Sequence, residues 1–564
     1  MHILLASGDD GTVHLARLDA SGVPLGEPWQ LSRAALPKEV SDLEATEQPR
    51  WVWDSSSEMY PPLLAAGVRL GRCHDVTLAR TILRFSQLVQ DSSYAALATE
   101  LTGSPAYPVT EDTPLEDLQE SLFEAPRHRR TAGEIRAEFA AQLDAVQSSR
   151  APVRLRLLLA AESAASLVAA EMQSLGVPWD PQVHRELLSD ALGPEPAPGR
   201  PPARMEELAQ QLRAELRAPQ LNPDSPQDLL KALHRNGIEV RTTRQWELQS
   251  FNHPAIAPLL EYKKLARLYT ANGWAWLEAW IRNGRFRPDY VVGGVVTGRW
   301  ASRGGGALQI PRTVRRAARA LPGYKLLVAD ASQVEPRILA AMSGDAGMAA
   351  AAREQDLYAE IADAGFGGSR SSAKVALLGA MYGATTGESA RLMPQLRKLY
   401  PRAIALVEDA ARQGERGESV STWLGRSTPP PGPEWDAAQR TQSQEEQRRA
   451  DAWARSRGRF TRNFIVQGTA AEWAECWLAG IRSRIAAFEA PEGHEETVFP
   501  PTGPAELVFF LHDEIMIHAP AELIPRCVAA VEEAAREAGR LLFGKAPVDF
   551  PLTVAVVDSY DQAK

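Results

Sequence analysis

Two apolar stretches of the sequence are interrupted by acidic side chains, and these interruptions are where chemistry could occur. Phe509–Pro520 reads FFLHDEIMIHAP, two strand-like runs with His512, Asp513 and Glu514 between them. Leaving a carboxylate unpaired in a core costs several kcal/mol, about the whole stability of a domain. The acids must therefore sit at an exposed bend or meet positive charge there. A second carboxylate, Asp330, ends the apolar run KLLVAD, and a helix-like stretch follows within a few residues. Asp330 at the end of a buried strand suits a metal ligand. Ser332 and Glu335 equally match a capping box, although Pro336 prefers the first helical position and would place Glu335 at the cap. Set beside Asp330, Asp513 would supply the second ligand of a two-metal site, whose ions lie about 3.5–4 Å apart. Mg²⁺ suits such a pair because it keeps water and takes phosphate oxygens, so few protein ligands suffice.

A third pattern lies in GGSRSSAKVALLGAMYGATTGES, Gly367–Ser389, where Arg370, Lys374, Leu378 and Tyr382 recur every fourth residue. Each step turns about 40° around a helix, so the four form one drifting stripe. Two cations followed by an apolar and an aromatic residue suit a triphosphate and a base lying along the helix. An amphipathic helix with a basic end has the same pattern. Gly383 should end or bend the element.

These residues need several elements to position them, and 564 residues are enough for several domains. The runs HILLAS, TVHLARL and RWVWDSS read as strands and PLLAAGVRL and VTLARTILRFSQLV as helices, which predicts an N-terminal α/β domain. Helical periodicity dominates from Ala132 to Leu192, a linker GPEPAPGRPPA spans Gly193–Ala203, and helices resume from Arg204 to Arg282. Phe286–Val296 and Lys325–Asp330 read as strands, Pro336–Leu424 as helices, and VQGTAAEWAECWLAGIRSRI as one more helix before the closing strand pair.

Cys73, Cys476 and Cys527 lie too far apart for a zinc spacing or a disulfide framework. The start MHILLASGDDG lacks a secretory pattern, and no apolar run is long enough to span a bilayer. A cytoplasmic protein without membrane contact is expected. The formal net charge of −9 speaks against a nucleic-acid partner only on average, because charge can be local. Arginines cluster in PRTVRRAARA (residues 311–320) and in EEQRRADAWARSRGRFTRN (Glu445–Asn463). They read either as solvated helix faces or as phosphate contacts.

In order and spacing, ADASQVEPRI, RSSAKVALLGAMYG and LHDE resemble motifs A, B and C of the family A DNA polymerases. VVTGRWASRGGGALQIPR resembles that family's T-G-R-x-S-S…L-Q-x-I-P segment, and RFTRNFIVQGTAAE its R-x-x-x-N-x-x-x-Q-G-T-A-A run. The resemblance extends from about Arg204 to the C-terminus. It implies an α+β multidomain fold: an RNase H-like (3′–5′ exonuclease-like) α/β domain at 1–131, a helical connector and linker at 132–203, then a right-hand polymerase domain. The hand would comprise a thumb at 204–285, a palm at 286–344 and 457–564, and fingers at 345–456 with a proline-rich insertion.

The implied activity is template-directed DNA synthesis on a primer–template with deoxynucleoside triphosphates, by a nucleoid-associated bacterial monomer. Rival readings are a two-metal nuclease and a DNA-binding protein that kept the fold. The resemblance implies that Asp330 and Asp513 bind two Mg²⁺ or Mn²⁺ ions, supported by Glu514. Arg370 and Lys374 would grip the triphosphate, with Leu378, Tyr358 and Gln333 in the same pocket. Tyr382 would contact Glu335, which would block a ribose 2′-hydroxyl. Arg299, Gln309, Arg459, Asn463, Gln467 and His512 would line the DNA.

The chain departs from the family pattern at Ala331, Pro336, Leu378 and Tyr358, where an aromatic, an aliphatic, a bulky aromatic and a histidine are usual. None of these removes a metal ligand. The first strand lacks the D-x-E of a DEDD exonuclease, and Asp54, Glu58 and Asp75 do not complete a four-carboxylate set. The expectation is an inactive exonuclease-like domain with no 5′-nuclease domain before it, as in the short chains described as bifunctional 3′–5′ exonuclease/DNA polymerase.

Overall fold

The structure is a computed structural model and describes all residues except 9–10, 91, 103–129, 305–309, 384–386, 433, 493–499, 501 and 564. The N-terminal residues build a five-stranded sheet in the order Trp29–Ser32, Thr12–Leu18, His2–Ser7, Arg50–Trp53, Arg72–Asp75. The first three strands pair antiparallel with one another, and the last two join His2–Ser7 in parallel. Side chains alternate along His2–Ser7. Ile3 and Leu5 enter one core with Trp51, Trp53 and Leu167, while Leu4 and Ala6 enter another with Val52, Val76 and Phe139.

A sheet apolar on both faces must be covered twice. The helix Ala132–Gln147 gives Ile135 and Phe139 to one face, and Pro152–Leu175 gives Leu167 and Ala170 to the other. Residues 132–175, read from sequence as a connector, are thus covering layers of this sheet. The strand Trp29–Ser32 escaped the sequence reading: it lies at the sheet edge and buries none of its residues fully.

Contacts divide the chain into two units. One comprises Met1–Leu175, Tyr290–Ala301 and Leu327–Ala555; the other comprises Gly176–Asp289, Ser302–Leu326 and Val556–Lys564. The second unit is mainly helical (Pro181–Leu192, Ala203–Glu215, Pro226–Arg235, Ile256–Asn272, Trp274–Trp280), with a small ribbon of Val177–Pro178, Arg285–Phe286 and Ile281–Arg282. Its core packs Trp179, His184, Trp276 and Phe286 ring to ring. His184 is fully buried. Its Nε2–H donates to the Asn272 carbonyl (2.9 Å), and its Nδ1 accepts from the Trp179 indole (3.2 Å).

A second sheet has the order Glu506–Leu511, Glu514–Pro520, Tyr324–Ala331, Leu552–Val557. The expected strand Phe286–Val296 is instead two short pieces, Arg285–Phe286 and Asp289–Val291. Pro288 stands between them without an N–H to give. The helix read as starting at Val466 begins at Gln444 and runs 42 residues to Ile485. Ser443 and Glu446 close a capping box at its start, and pairs such as Arg449–Glu445 support the polar turns that carry no apolar period.

Two buried ion pairs fasten this long helix region to Pro152–Leu175. Arg482 donates to both oxygens of Glu171 (2.6–3.1 Å), which also accepts from Tyr60 (2.7 Å) and Arg69 (3.2 Å). Arg426 pairs with Glu162 inside the field of Glu472 and Glu475.

Candidate active site

The strand Tyr324–Ala331 lies beside Glu514–Pro520, and the Ala331 N–H donates to the Asp513 carbonyl at 2.8 Å. This bond places Asp330 and Asp513 on adjacent strand ends. Both are half-buried. The turn before Glu514 contains only His512 and Asp513, since Leu511 pairs with Glu514 across the hairpin. Glu514, expected at the bend, is the first residue of the strand and 3% exposed.

His512 is exposed and has a φ of +56°, and Gln333, just past Asp330, has a φ of +58°. A left-handed backbone at a non-glycine residue is uncommon and costs about 1–3 kcal/mol. Two such residues flanking the aspartates mark a backbone held in place by its surroundings. Tyr290 provides part of that hold. Its hydroxyl donates to the Phe510 carbonyl and accepts from the Phe510 N–H, both at 3.1 Å, and Trp300 packs edge-on to both rings.

Helix Val334–Ser343 is capped by Gln333 with no side-chain bond. The capping box does not form: the Ser332 hydroxyl meets Thr553 (3.0 Å), and Pro336 is the third helical residue, where its missing N–H is no loss. Glu335 is free of a capping role and is clamped from two sides. Arg299 ion-pairs with Oε1, and the Tyr382 hydroxyl donates to Oε2 at 2.5 Å. Burial, and then the Glu335 charge, push the Tyr382 phenol up.

The loop carrying Arg299 needs glycine at 298. Its φ is +89°, and a Cβ there would meet Arg426 Nε at 2.6 Å.

Helix Arg370–Tyr382 buries Ala373, Ala376, Leu377, Ala380 and Met381. Its opposite side presents Arg370, Lys374 and Tyr382 to solvent, with Leu378 half-buried. Ser369 caps the start, and Gly383 ends it at φ +73°, where a Cβ would lie 2.9 Å from Arg459 Cγ. Lys374 enters no ion pair among the described residues. Arg370 Nε donates to Asp356 Oδ2 (2.6 Å), and its guanidinium lies 5.6 Å from the Tyr358 ring centre. Burial pushes the Tyr358 phenol up to about 12.

Asp356 also accepts from Gln333 Nε2 (2.9 Å), while Gln333 Oε1 accepts from the Leu357 N–H (2.9 Å). Both ends of the Gln333 amide therefore hold the start of helix Leu357–Gly365. In the long helix, Arg459 is exposed, Asn463 half-buried and Gln467 buried at 2% exposure. Gln309 lies outside the described residues.

Sequence reasoning missed Asp356, the partner of Arg370, and Arg337. The Arg337 guanidinium is fully buried and donates to the carbonyls of Ser332, Ala352, Glu354, Gln355 and Asp549. A lone cation inside the apolar run VEPRILAAM was the available signal, since an arginine buried there must find acceptors.

In the N-terminal sheet layer the acids have partners. Asp54 pairs with Arg130 (2.8 Å) and lies 3.7 Å from Arg80, and both arginines reach Glu138 at 2.7 Å. Asp75 accepts from the Ser56 and Leu78 N–H groups. Glu58 is exposed in the first turn of its helix. No trio of His, Cys, Asp or Glu among the described residues is arranged to hold a metal. Asp330 and Asp513 instead fit a hard cation whose shell water and substrate oxygens complete, which is how Mg²⁺ is commonly held.

DNA polymerase family A matches residues 200–560. The thermostable DNA polymerase I of Thermus filiformis is 26% identical over 349 residues, covering 56% of this chain and 37% of that protein. DNA polymerase I of Chloroflexus aurantiacus is 26% identical over 555 residues, 87% of this chain and 52% of that protein. The chain thus spans between about a third and a half of these relatives' lengths. A solved structure, the POL domain of Pol1 from M. smegmatis in complex with DNA primer-template and dNTP, aligns over 100% of this chain and 95% of its own, with TM-score 0.68 and 19% identity. That likeness extends the shared fold through the N-terminal sheet layer. With the matched segment spanning well over half its residues, the chain belongs to DNA polymerase family A.

Proposed function

We propose that this chain extends a DNA primer on a template, joining deoxynucleotides to the 3′-hydroxyl and releasing pyrophosphate. The observation that supports it most is the Ala331–Asp513 backbone bond, because it ties Asp513 to the residue after Asp330, about 180 residues away in sequence. Asp330 and Asp513 would hold two Mg²⁺ ions, with Mn²⁺ as a substitute and Glu514 behind them. Such ions, when bound, activate the attacking oxygen and stabilise the leaving one.

The remaining work falls to positioning. Lys374 is exposed and free to meet a triphosphate, and Arg370 would exchange Asp356 for the same phosphates. A surface pair of this kind contributes only about 0–1 kcal/mol, so the exchange is easy. Glu335, fixed by Arg299 and Tyr382, would stand against the sugar edge. Arg459, Asn463 and His512 would face the primer–template. Gln467, buried, would act by shaping that surface, and Gln333 by fixing the Asp356 helix. The hand would divide into a thumb at 204–285, a palm at 286–344 and 457–564 and fingers at 345–456, in a monomeric cytoplasmic protein acting at the nucleoid. No helix among the described residues is long and apolar enough to cross a membrane.

Primer extension with Mg²⁺ tests the reading. Asp330→Asn and Asp513→Asn should each slow extension about a thousandfold, several kcal/mol of lost charge stabilisation. Unchanged extension in either variant would remove the proposed site. Labelled primers read both directions at once, and shortening of the primer by the wild type would show that the N-terminal domain retains a nuclease.

A further inference from the structure

A cavity of about 680 Å³ opens in the N-terminal sheet layer, away from every residue assigned above to synthesis. It lies where Ala132–Gln147 turns into Pro152–Leu175, under the first residues of the parallel strands. His2 and Arg50 are register partners at those strand starts. Asp54 and Asp75 lie at the far ends of these strands and do not line the cavity, although the wall residue Gln142 donates to Glu138 at 3.1 Å.

Its apolar lining is Phe139, Leu143, Val146 and Leu159. Its polar lining includes Arg50, Arg156, His2 and His74 against one acid, Asp144, and both imidazole rings lie edge-on to Phe139. Arg50 is half-buried and donates to the Cys73 carbonyl at 2.9 Å. Arg156 donates to Gln147. Neither arginine enters an ion pair among the described residues. The neighbouring Asp19 carboxylate is taken by the Ser21 and Val23 N–H groups (2.8 and 2.9 Å).

A half-buried guanidinium with only a carbonyl to meet is an incomplete arrangement, since withdrawing a charge from water normally demands a counter-charge. Burial foremost, with the Arg50 charge adding, holds His2 below its ordinary range and His74 down at about 4. The rings therefore stay neutral at pH 7, and the arginines carry the positive charge. Guanidinium groups match phosphate oxygens with paired N–H donors. The volume exceeds what a bare phosphate needs and suits a small organic molecule.

We propose that this cavity binds a phosphate ester of nucleoside-monophosphate size, its phosphate on Arg50 and Arg156 and its organic part against the Phe139 side. Calorimetric titration of the full chain in EDTA, which silences metal-dependent nucleotide binding at Asp330 and Asp513, tests it. Deoxyadenosine monophosphate should bind with a dissociation constant of about 0.1–1 mM. Inorganic phosphate should bind about tenfold more weakly. Arg50→Gln and Arg156→Gln should each weaken the nucleotide about tenfold or more, the loss of one charge-assisted contact. Lys374→Ala should leave it unchanged. Arg156 is exposed, so its variant tests binding without threatening the fold.

No saturable binding at about 10 mM would overturn the proposal. So would binding indifferent to Arg156→Gln, binding lost in Lys374→Ala, or phosphate binding as tightly as the nucleotide.

Discussion

Replacing Gly298 by alanine should destabilise the first unit and loosen the Glu335 clamp together, through a single methyl group. Two terms add. The backbone at +89° is disfavoured for any residue with a Cβ by about 1–2 kcal/mol. The methyl would also lie 2.6 Å from Arg426 Nε, 2.8 Å from Cζ and 3.0 Å from Nη2. That guanidinium is 5% exposed and paired with Glu162 at 2% exposure, so it cannot swing into water. Breaking such a pair outright costs about 3–5 kcal/mol; a partial displacement should cost about half.

The sum is about 3–4 kcal/mol, which lowers the melting temperature of a unit of roughly 400 residues by about 3–5 °C. Gly67→Ala isolates the first term: its φ is +84°, and a Cβ there has nothing within 4 Å. Calorimetric melting of both variants separates strain from contact, and primer extension reads the clamp, because Arg299 follows Gly298 directly. Equal melting shifts for the two variants, with extension intact in Gly298→Ala, would refute the packing argument.

Arg482→Met should destabilise by about 3–5 kcal/mol, because Glu171 then stays buried without its main counter-charge; the double variant Arg482→Met/Glu171→Leu should recover most of that. Urea unfolding of both variants checks the non-additivity. His184 is held down at about 4 by burial, below the usual unfolded value near 6.5. The unfolded chain then binds the extra proton first, so the second unit should lose about 3 kcal/mol as pH falls from about 6.5 to 4. The window should vanish in His184→Gln, followed by tryptophan fluorescence during unfolding. Leu378 stands where the family has a bulky aromatic, and Leu378→Phe should raise selection of deoxy- over ribonucleotides about tenfold, a gain of about 1.4 kcal/mol. Matched incorporation assays check this, and family-typical selectivity in the wild type would count against it.

The elements with long, strong patterns could be read from the sequence. The four-residue stripe in RSSAKVALLGAMY needed only helical spacing, and the turn at His512 and Asp513 needed only the cost of burying acids, which did not foresee Glu514 buried in the strand. What escaped had its cause elsewhere in the chain. Gln333 reads as a polar residue near a nucleotide, yet its amide is consumed by Asp356 and Leu357, 23 and 24 residues away. The first turns of the long helix have no apolar period, since they face solvent. The helices at 132–175 read as a connector because periodicity shows that a face is apolar without showing which partner it covers.

The 42-residue helix is about 63 Å long at 1.5 Å per residue. Along one axis it carries Arg459 beside the end of the stripe helix, Glu472 near Arg426, and Arg482 locked onto Glu171. A rod cannot bend cheaply between such fixtures, so the position of Arg459 is set in part from its far end. The N-terminal layer would then serve as a splint for the stripe helix, a role that asks nothing of its carboxylates.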